Sequence, residues 1–277
     1  MKKLLLISTL VIFALLLTSC WPGSIPLVPK TLLIDNTHTS MGGGITRIVQ
    51  AFQAKGYSVF YSSVVGFNPQ EYGAVLISAP EVAYTNTEKS KLSNLLSLGG
   101  KIILLSEWYD YYNSAPLNAI TSYLGVNISF NNNLLRDNVN NFKSDIGWVT
   151  TTKFEAHTLS VGLSKIVLYA ASTLNAGANT SIVARAEATS YTAAGISPEF
   201  SEASSVESIV QSEGFSSQDV IISVPLVVAA RVGSGKVVAL GDSDIFSGDG
   251  NLPGAYIDQF DNLKLLHTVS NKQISNN

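Results

Sequence analysis

Eight polar residues stand just past apolar runs, where strands would end. Asp35, Asn36 and His38 follow one run, Ser106 and Glu107 a second, and Asp242, Ser243 and Asp244 a third. Carboxylates joined by a histidine on one rim could bind a divalent cation or orient a polar ligand. A plainer assignment stands beside that one. Asp35 caps the glycine-rich turn after it, and Asp242 and Asp244 satisfy backbone N–H groups in their own loop. Trp108, Tyr109, Tyr111 and Tyr112 directly follow Glu107, interleaved with Asp110 and followed by Asn113. Such rings suit a sugar or a peptide, or else they cover the edge of the core under a helix.

Other motifs carry less. Gly42-Gly43-Gly44 precedes a helical pattern and could cradle an anion, but no Gly-Lys-Ser/Thr follows and the spacing is not G-x-G-x-x-G, so a tight turn is the simpler reading. Asp242, Asp244 and Asp249 lack the terminal Glu and the glycine placement of a calcium loop. His157 precedes a strand and His267 lies on an apolar helix face, both suited to packing. No cofactor motif is present and none is expected. The one cysteine, Cys20, excludes an internal disulfide and any multi-cysteine metal site. A net charge of −3 argues against nucleic acid as a partner. With 46% hydrophobic residues and only 13% charged, the chain does not have the composition of a disordered one.

The elements that must position these residues alternate. Apolar strands are expected at 31–36, 57–62, 74–78 and 101–105. Helices lie between them, one carrying Ile45, Ile48, Val49 and Phe52 on one face, another capped by Thr85 or Asn86 and ended by Gly99-Gly100. This alternation predicts a parallel α/β sheet covered on both faces, with ligands beyond the carboxyl ends of its strands. Further on, a helix is expected over 115–124 with Ser114 at its N-cap and Pro116 in its first turn. Asn131–Asn141 reads as an exposed loop, 166–169, 181–185 and 222–229 as strands, and 187–219 as an insertion or long surface loop. Residues 225–240 read as a hairpin turning at Gly233-Ser234-Gly235, and 255–270 as a last helix.

The N-terminus has a different grammar. Lys2 and Lys3 precede a fourteen-residue, mostly apolar run, 4–17. As a helix it would span about 21 Å, short of the roughly 30 Å hydrocarbon core, which fits a secretory segment better than a membrane span. Leu17-Thr18-Ser19-Cys20 then resembles the lipobox of bacterial lipoproteins. That resemblance implies a signal peptide at 1–19, cleavage before Cys20 and lipid on its thiol. Membrane attachment through that lipid and an extracytoplasmic address at the cell membrane or outer membrane would follow. Residues 20–30, with three prolines, read as the lipidated cysteine and an extended tether.

The ordered set LLIDNTH, KGYSV, EYGAVLIS, LLSLGGKIILLSE, FEAHTLSVGLSKIVLY and GSGKVVALGDSDIF resembles the class I glutamine amidotransferase-like group of flavodoxin-like domains, across roughly 31–270. Within it, the resemblance is to noncatalytic or uncharacterised members, such as those of gliding-motility transporter accessory proteins and the N-terminal domain of an intraflagellar-transport protein. It implies a Rossmann-like, three-layer α/β/α sandwich over 31–277, mostly parallel, with an antiparallel hairpin near the C-terminus. The enzymes of the group use a cysteine at a strand-to-helix elbow, whereas this chain has Leu104-Leu105-Ser106-Glu107-Trp108. Ser106 lacks the flanking glycines of a nucleophile elbow, and the single cysteine belongs to the anchor. The expectation is a noncatalytic, membrane-anchored envelope protein that binds a saccharide, another ligand or a protein partner, such as a transport or assembly accessory. The alternative is an envelope hydrolase, metal-assisted or saccharide-directed, using Asp35, His38, Glu107 and Asp242. Candidate ligand-binding residues are Asp35, His38, Ser106, Glu107, Trp108, Asp242 and Asp244.

Overall fold

Four expected runs become four parallel strands, three of them buried on both faces of the sheet and the one at Ser58–Tyr61 only partly buried. In β1 (Thr31–Asp35), Leu32, Leu33 and Ile34 are all buried, and the same holds across β3 (Ala74–Ser78) and β4 (Lys101–Leu105). The computed structural model describes residues 28–39, 44–194, 223–248 and 255–271. Cys20, Gly42, Gly43, Asp249 and most of the expected 187–219 insertion lie outside the described residues.

The remaining strands, in chain order, are β2 (Ser58–Tyr61), β5 (Ile128–Phe130), β6 (Asn133–Asp137), β7 (Asn141–Phe142), β8 (Asp145–Thr151), β9 (Lys153–Phe154) and β10 (Ile166–Tyr169). They continue with β11 (Leu174–Ala176), β12 (Thr180–Arg185), β13 (Ser190–Ala194), β14 (Pro225–Val232) and β15 (Gly235–Leu240). The main sheet has eight strands in the order β2-β1-β3-β4-β15-β14-β12-β9. The first five are parallel, and β14, β12 and β9 join antiparallel to their neighbours. The fold is thus a mostly parallel α/β sheet of the flavodoxin-like order, with β15 in the fifth position. Three small antiparallel sheets, β10-β8-β7, β11-β5 and β13-β6, are added around it.

Among the described residues the α-helices are α1 (Thr46–Ala54), α2 (Ser62–Val65), α3 (Asn86–Ser97), α4 (Ala115–Tyr123) and α5 (Asn262–Ser270). Helices α1 and α5 bury Ile48, Phe52, Leu265, Leu266 and Val269 against one face of the sheet. Helices α3 and α4 bury Leu92, Leu95, Leu96, Leu117 and Ile120 against the other. This is the three-layer sandwich, and the C-terminal hairpin β14–β15 turns at Gly233-Ser234 as expected. At Gly235 a side chain would stand 2.5 Å from the backbone of Leu96, so this glycine lets α3 lie close on the sheet. At Gly241 a side chain would stand 1.9 Å from the Ser172 carbonyl oxygen. Ser172 N–H instead donates to Gly241 O at 2.8 Å, which fixes the loop after β10 against the end of β15.

Three expectations need correction. Asn131–Asn141 is not an exposed loop: it contains β6, with Leu134, Leu135 and Asp137 buried and paired to β13. Its asparagines are spent on tertiary bonds, Asn133 holding Thr173 N–H and hydroxyl. The expected last helix over 255–270 is a 3₁₀ turn, Tyr256–Asp258, followed by α5. Phe260 between them is exposed with φ +46 rather than on a buried face. The break is tertiary. Asp261 accepts from Ser164 N–H at 2.6 Å, and Asn262 bonds both backbone groups of Val167 at 3.1 and 3.0 Å. Finally, β13 occupies the start of the expected 187–219 loop.

Candidate functional site

The carboxyl ends of the parallel strands carry the candidate residues, but in two separate networks. The first surrounds Asp35, at the end of β1 and 3% exposed. Its Oδ1 accepts from Thr37 N–H at 3.1 Å, Thr37 Oγ1 at 2.8 Å and Ser62 Oγ at 2.8 Å. Its Oδ2 accepts from the Tyr84 hydroxyl and from His38 Nδ1 at 2.8 Å, because a carboxylate can only accept. The His38 ring stacks on Tyr84 at 3.9 Å and meets Phe67 edge-on at 5.3 Å. Its Nε2 lies 3.4 Å from Glu88 Oε1, at the start of α3.

Burial pushes the Asp35 carboxyl up, but hydrogen bonds from His38, Tyr84 and Ser62 more than offset this and hold it at about 2. Burial lowers His38, yet its bond to the Asp35 charge and the nearby Glu88 raise it above its ordinary value. Five donors converge on one carboxylate here, which leaves no capacity for a ligand. The network is a lock joining β1, α2 and α3. The glycine-rich turn that Asp35 is expected to cap lies mostly outside the described residues.

The second network lies past β4 and β15. Ser106 is fully buried; its N–H donates to Leu240 O at 2.9 Å and, among the described residues, its hydroxyl only to the Glu107 carbonyl, at 3.5 Å. Glu107, 4% exposed, accepts from Ser243 Oγ at 2.6 Å and from Trp108 N–H at 3.3 Å. Asp242, fully buried, accepts from Tyr169 N–H and Asp244 N–H, each at 2.7 Å, so the plainer assignment holds for it. Burial pushes all three of these acids upward, and neighbouring carboxyls add to it for Glu107 and Asp242. Glu107 reaches about 8, raised further by Asp244, and Asp242 and Asp244 also rise.

Beside these acids opens a cleft of about 540 Å³. Glu107, Trp108 and Tyr111 line it from the β4 side, and Ser243, Asp244 and Ser247 from the β15 side. Trp148, Tyr169 and Tyr256 make an aromatic wall. Tyr169 and Tyr256 stack at 4.0 Å, and Trp148 meets them edge-on at 5.3 and 5.8 Å. Tyr169 is 2% exposed, and among the described residues its hydroxyl has no hydrogen-bond partner.

The structure therefore brings Glu107, Trp108 and Asp244 together in one cleft. Asp242 and Ser106 lie beneath it, and Asp35 and His38 stand apart. Of the four aromatics after β4, Trp108 and Tyr111 line the cleft whereas Tyr112 is buried. The Trp148–Tyr169–Tyr256 wall was not foreseen. The available signal was Tyr169 at the very end of an expected strand. Among the described residues, no group of three His, Cys, Asp or Glu side chains is placed to hold a metal ion.

No family model matches the chain and no curated protein is similar to it at a significant level. Solved structures do resemble it. The mmIFT52 N-terminal domain is 14% identical, with 86% of this chain and 95% of that one covered at a TM-score of 0.60. Cytoplasmic protein STM1381 from Salmonella typhimurium LT2 is 11% identical, with 87% and 97% covered at 0.50. A ThuA-like protein from Parabacteroides merdae ATCC 43184 is 13% identical, with 90% and 92% covered at 0.48. At such identities the likeness to the first two is one of fold, over nearly the whole of each.

Proposed function

We propose that this chain is a noncatalytic, lipid-anchored protein of the cell envelope that presents the cleft beyond β4 and β15 to a ligand or a protein partner. The observation that carries the noncatalytic reading is Ser106. By the sequence resemblance, it corresponds to the position where enzymes of that group hold a cysteine. It is fully buried and, among the described residues, bonds only to backbone. No histidine is among the described lining residues, so the cleft does not assemble a hydroxyl–imidazole pair. An envelope hydrolase using Asp35, His38, Glu107 and Asp242 together finds less support, because Asp35 and His38 are bonded to each other and to Tyr84 rather than to the acids of the cleft.

The anchor rests on Cys20 in its Leu-Thr-Ser-Cys context and on the apolar run before it. Lipid chains add about 0.8 kcal/mol per buried CH₂, so more than one chain on a residue holds a protein firmly to a bilayer. Membrane fractionation of a Cys20→Ser variant is the direct check. The wild type is expected in the detergent-phase membrane fraction and the variant in the soluble or unprocessed one. A variant that is processed and partitions like the wild type sinks the anchor.

A further inference from the structure

We infer that the end of the sheet where its parallel strands begin rests on the anionic headgroups of the bilayer, so that the cleft is turned away from the membrane. This rests on the lipid anchor proposed above and adds which end of the domain meets the bilayer. Two independent observations carry it: where the chain enters the domain and how the charge is divided. Val28 packs against Gly73, just before β3, and Gly99, just before β4. Lys30 O then accepts from Ser58 N–H at 3.0 Å, at the start of β2. Eight residue steps separate Val28 from Cys20. At roughly 3.6 Å per residue they reach no further than about 29 Å. Lipid on Cys20 therefore keeps this end near the bilayer, whereas the cleft lies past the opposite ends of β4 and β15.

The same end is basic. Arg231, Lys236 and Lys101 are register partners on β14, β15 and β4, a row of three cations across neighbouring strands. Like charges set directly opposite each other disfavour a sheet. Lys101 is buried and spends its ammonium on the end of α5, but Arg231 is exposed and Lys236 half-buried. Lys30 and Lys55 stand at the same end, the Lys30 ammonium donating to Lys55 O at 2.9 Å. No ion pair among the described residues involves Lys30, Lys55 or Arg231. Glu71 is the acid described at this end, whereas Asp35, Glu107 and Asp244 gather at the other. Leu98, beside Gly99 and 53% exposed, adds an apolar side chain for the headgroup layer.

Beside the row opens a cavity of about 130 Å³, lined in part by His157, Asn179, Ser181, Arg231 and Lys236. Its cations and polar donors suit a headgroup phosphate. Burial and then the Arg231 charge lower Lys236, and burial and then Lys236 lower His157, so these groups stand close enough to repel one another. An anion there relieves that repulsion. The lipid already supplies attachment, so the basic end sets orientation, and its pull fades within about one Debye length of the surface.

The test is hydrogen exchange on the lipidated protein in vesicles of phosphatidylcholine alone or with added phosphatidylglycerol. The β14–β15 turn and the turn at Lys55 and Gly56 should exchange more slowly on the anionic vesicles. The difference should vanish at about 1 M salt, where the Debye length is about 3 Å. The segment 243–248, past β15, should exchange alike on both. Arg231→Gln with Lys236→Gln should lower the docked-to-free ratio about thirtyfold, about fivefold for each cation. Lys89→Gln with Lys153→Gln removes as much charge elsewhere and should leave the protection in place. Circular dichroism on both pairs separates a lost contact from a lost fold. Equal exchange on both vesicles, with the protein still attached, would overturn the docking and leave the anchor standing. Slowing at 243–248 instead, or equal loss of protection in both folded pairs, would overturn it as well. So would inorganic phosphate slowing the same turns with no further effect of the anionic vesicles. Protein washed from neutral vesicles by salt would sink the anchor, and this inference with it.

Discussion

At the scale of single residues, the two acidic networks show how environment assigns a carboxylate its work. Asp35 is surrounded by donors and stays ionised, whereas Glu107 has few donors and two acidic neighbours and holds its proton. The difference makes Asp35 a pH-dependent contributor to stability. Its folded value, about 2, lies below its ordinary 3.8. Its stabilisation is therefore full above about pH 4 and is lost as pH falls toward 2, an effect of roughly 2 kcal/mol. His38 has the opposite sign. Raised above 6.5, its contribution is full below that value and fades as pH rises through the folded value. Urea unfolding of wild type and Asp35→Asn between pH 2 and 7 checks the carboxylate. The variant should be less stable near neutrality by about 3 kcal/mol, as when one partner of a buried pair is removed, and its acid slope should be shallower. Equal slopes would show that this carboxylate does not carry the acid dependence. Asp242 could be read from its sequence position as a loop-satisfying residue. The role of Asp35 could not, because Ser62 and Tyr84 come to it from later elements.

At the scale of elements, legibility follows the range of the interactions that decide each one. The start of α3 is local. Thr85 Oγ1 accepts from Glu88 N–H at 3.2 Å, and Glu88 Oε2 accepts from Thr85 N–H at 2.8 Å, a reciprocal cap visible as Thr-x-x-Glu. Ser114 also stands at an N-cap, but its one hydroxyl proton is directed at Asn132 Oδ1 at 2.7 Å and Phe130 O at 3.1 Å, its oxygen accepts from the Asn118 side chain at 3.5 Å, and it caps no backbone N–H of its helix. The strand β6 and the break before α5 were illegible for the complementary reason. Their deciding partners, β13 for one and Val167 for the other, lie dozens of residues away. The contrast predicts different outcomes for two similar substitutions. Thr85→Ala should cost about 1 kcal/mol by freeing the first turn of α3. Ser114→Ala should act on the β5 contact, loosening amide protection at Phe130 and Asn131 more than in α4. Hydrogen exchange resolves the two. Protection lost mainly within α4 in Ser114→Ala would show that the serine is an ordinary cap.

At the scale of the whole molecule, the cores on either face of the sheet are two sides of the same strands. Leu32 faces one core and Leu33 the other, and the same alternation holds for Ile103 with Ile102 and for Val238 with Val237. A strand cannot leave one core without leaving the other. Helix α5 closes the first face from the far end of the chain. The buried Lys101 ammonium, at the start of β4, donates to the carbonyl of Val269 and to that of Asn271 at 3.0 Å, so the sheet itself holds that helix end. The two faces should therefore unfold together. Phe52→Ala, in the first core, should cost about 3–5 kcal/mol, and Leu95→Ala, in the second, about 2–5 kcal/mol. Each should lower the midpoint of one transition, followed in denaturant by far-UV circular dichroism and by tryptophan fluorescence, with the two signals coincident. Trp148 reports beside the cleft and the helices report from both faces, so a split would be visible. A variant that moves the fluorescence transition while leaving the dichroism transition in place would divide the molecule into two folding units and break the link that the shared strands impose.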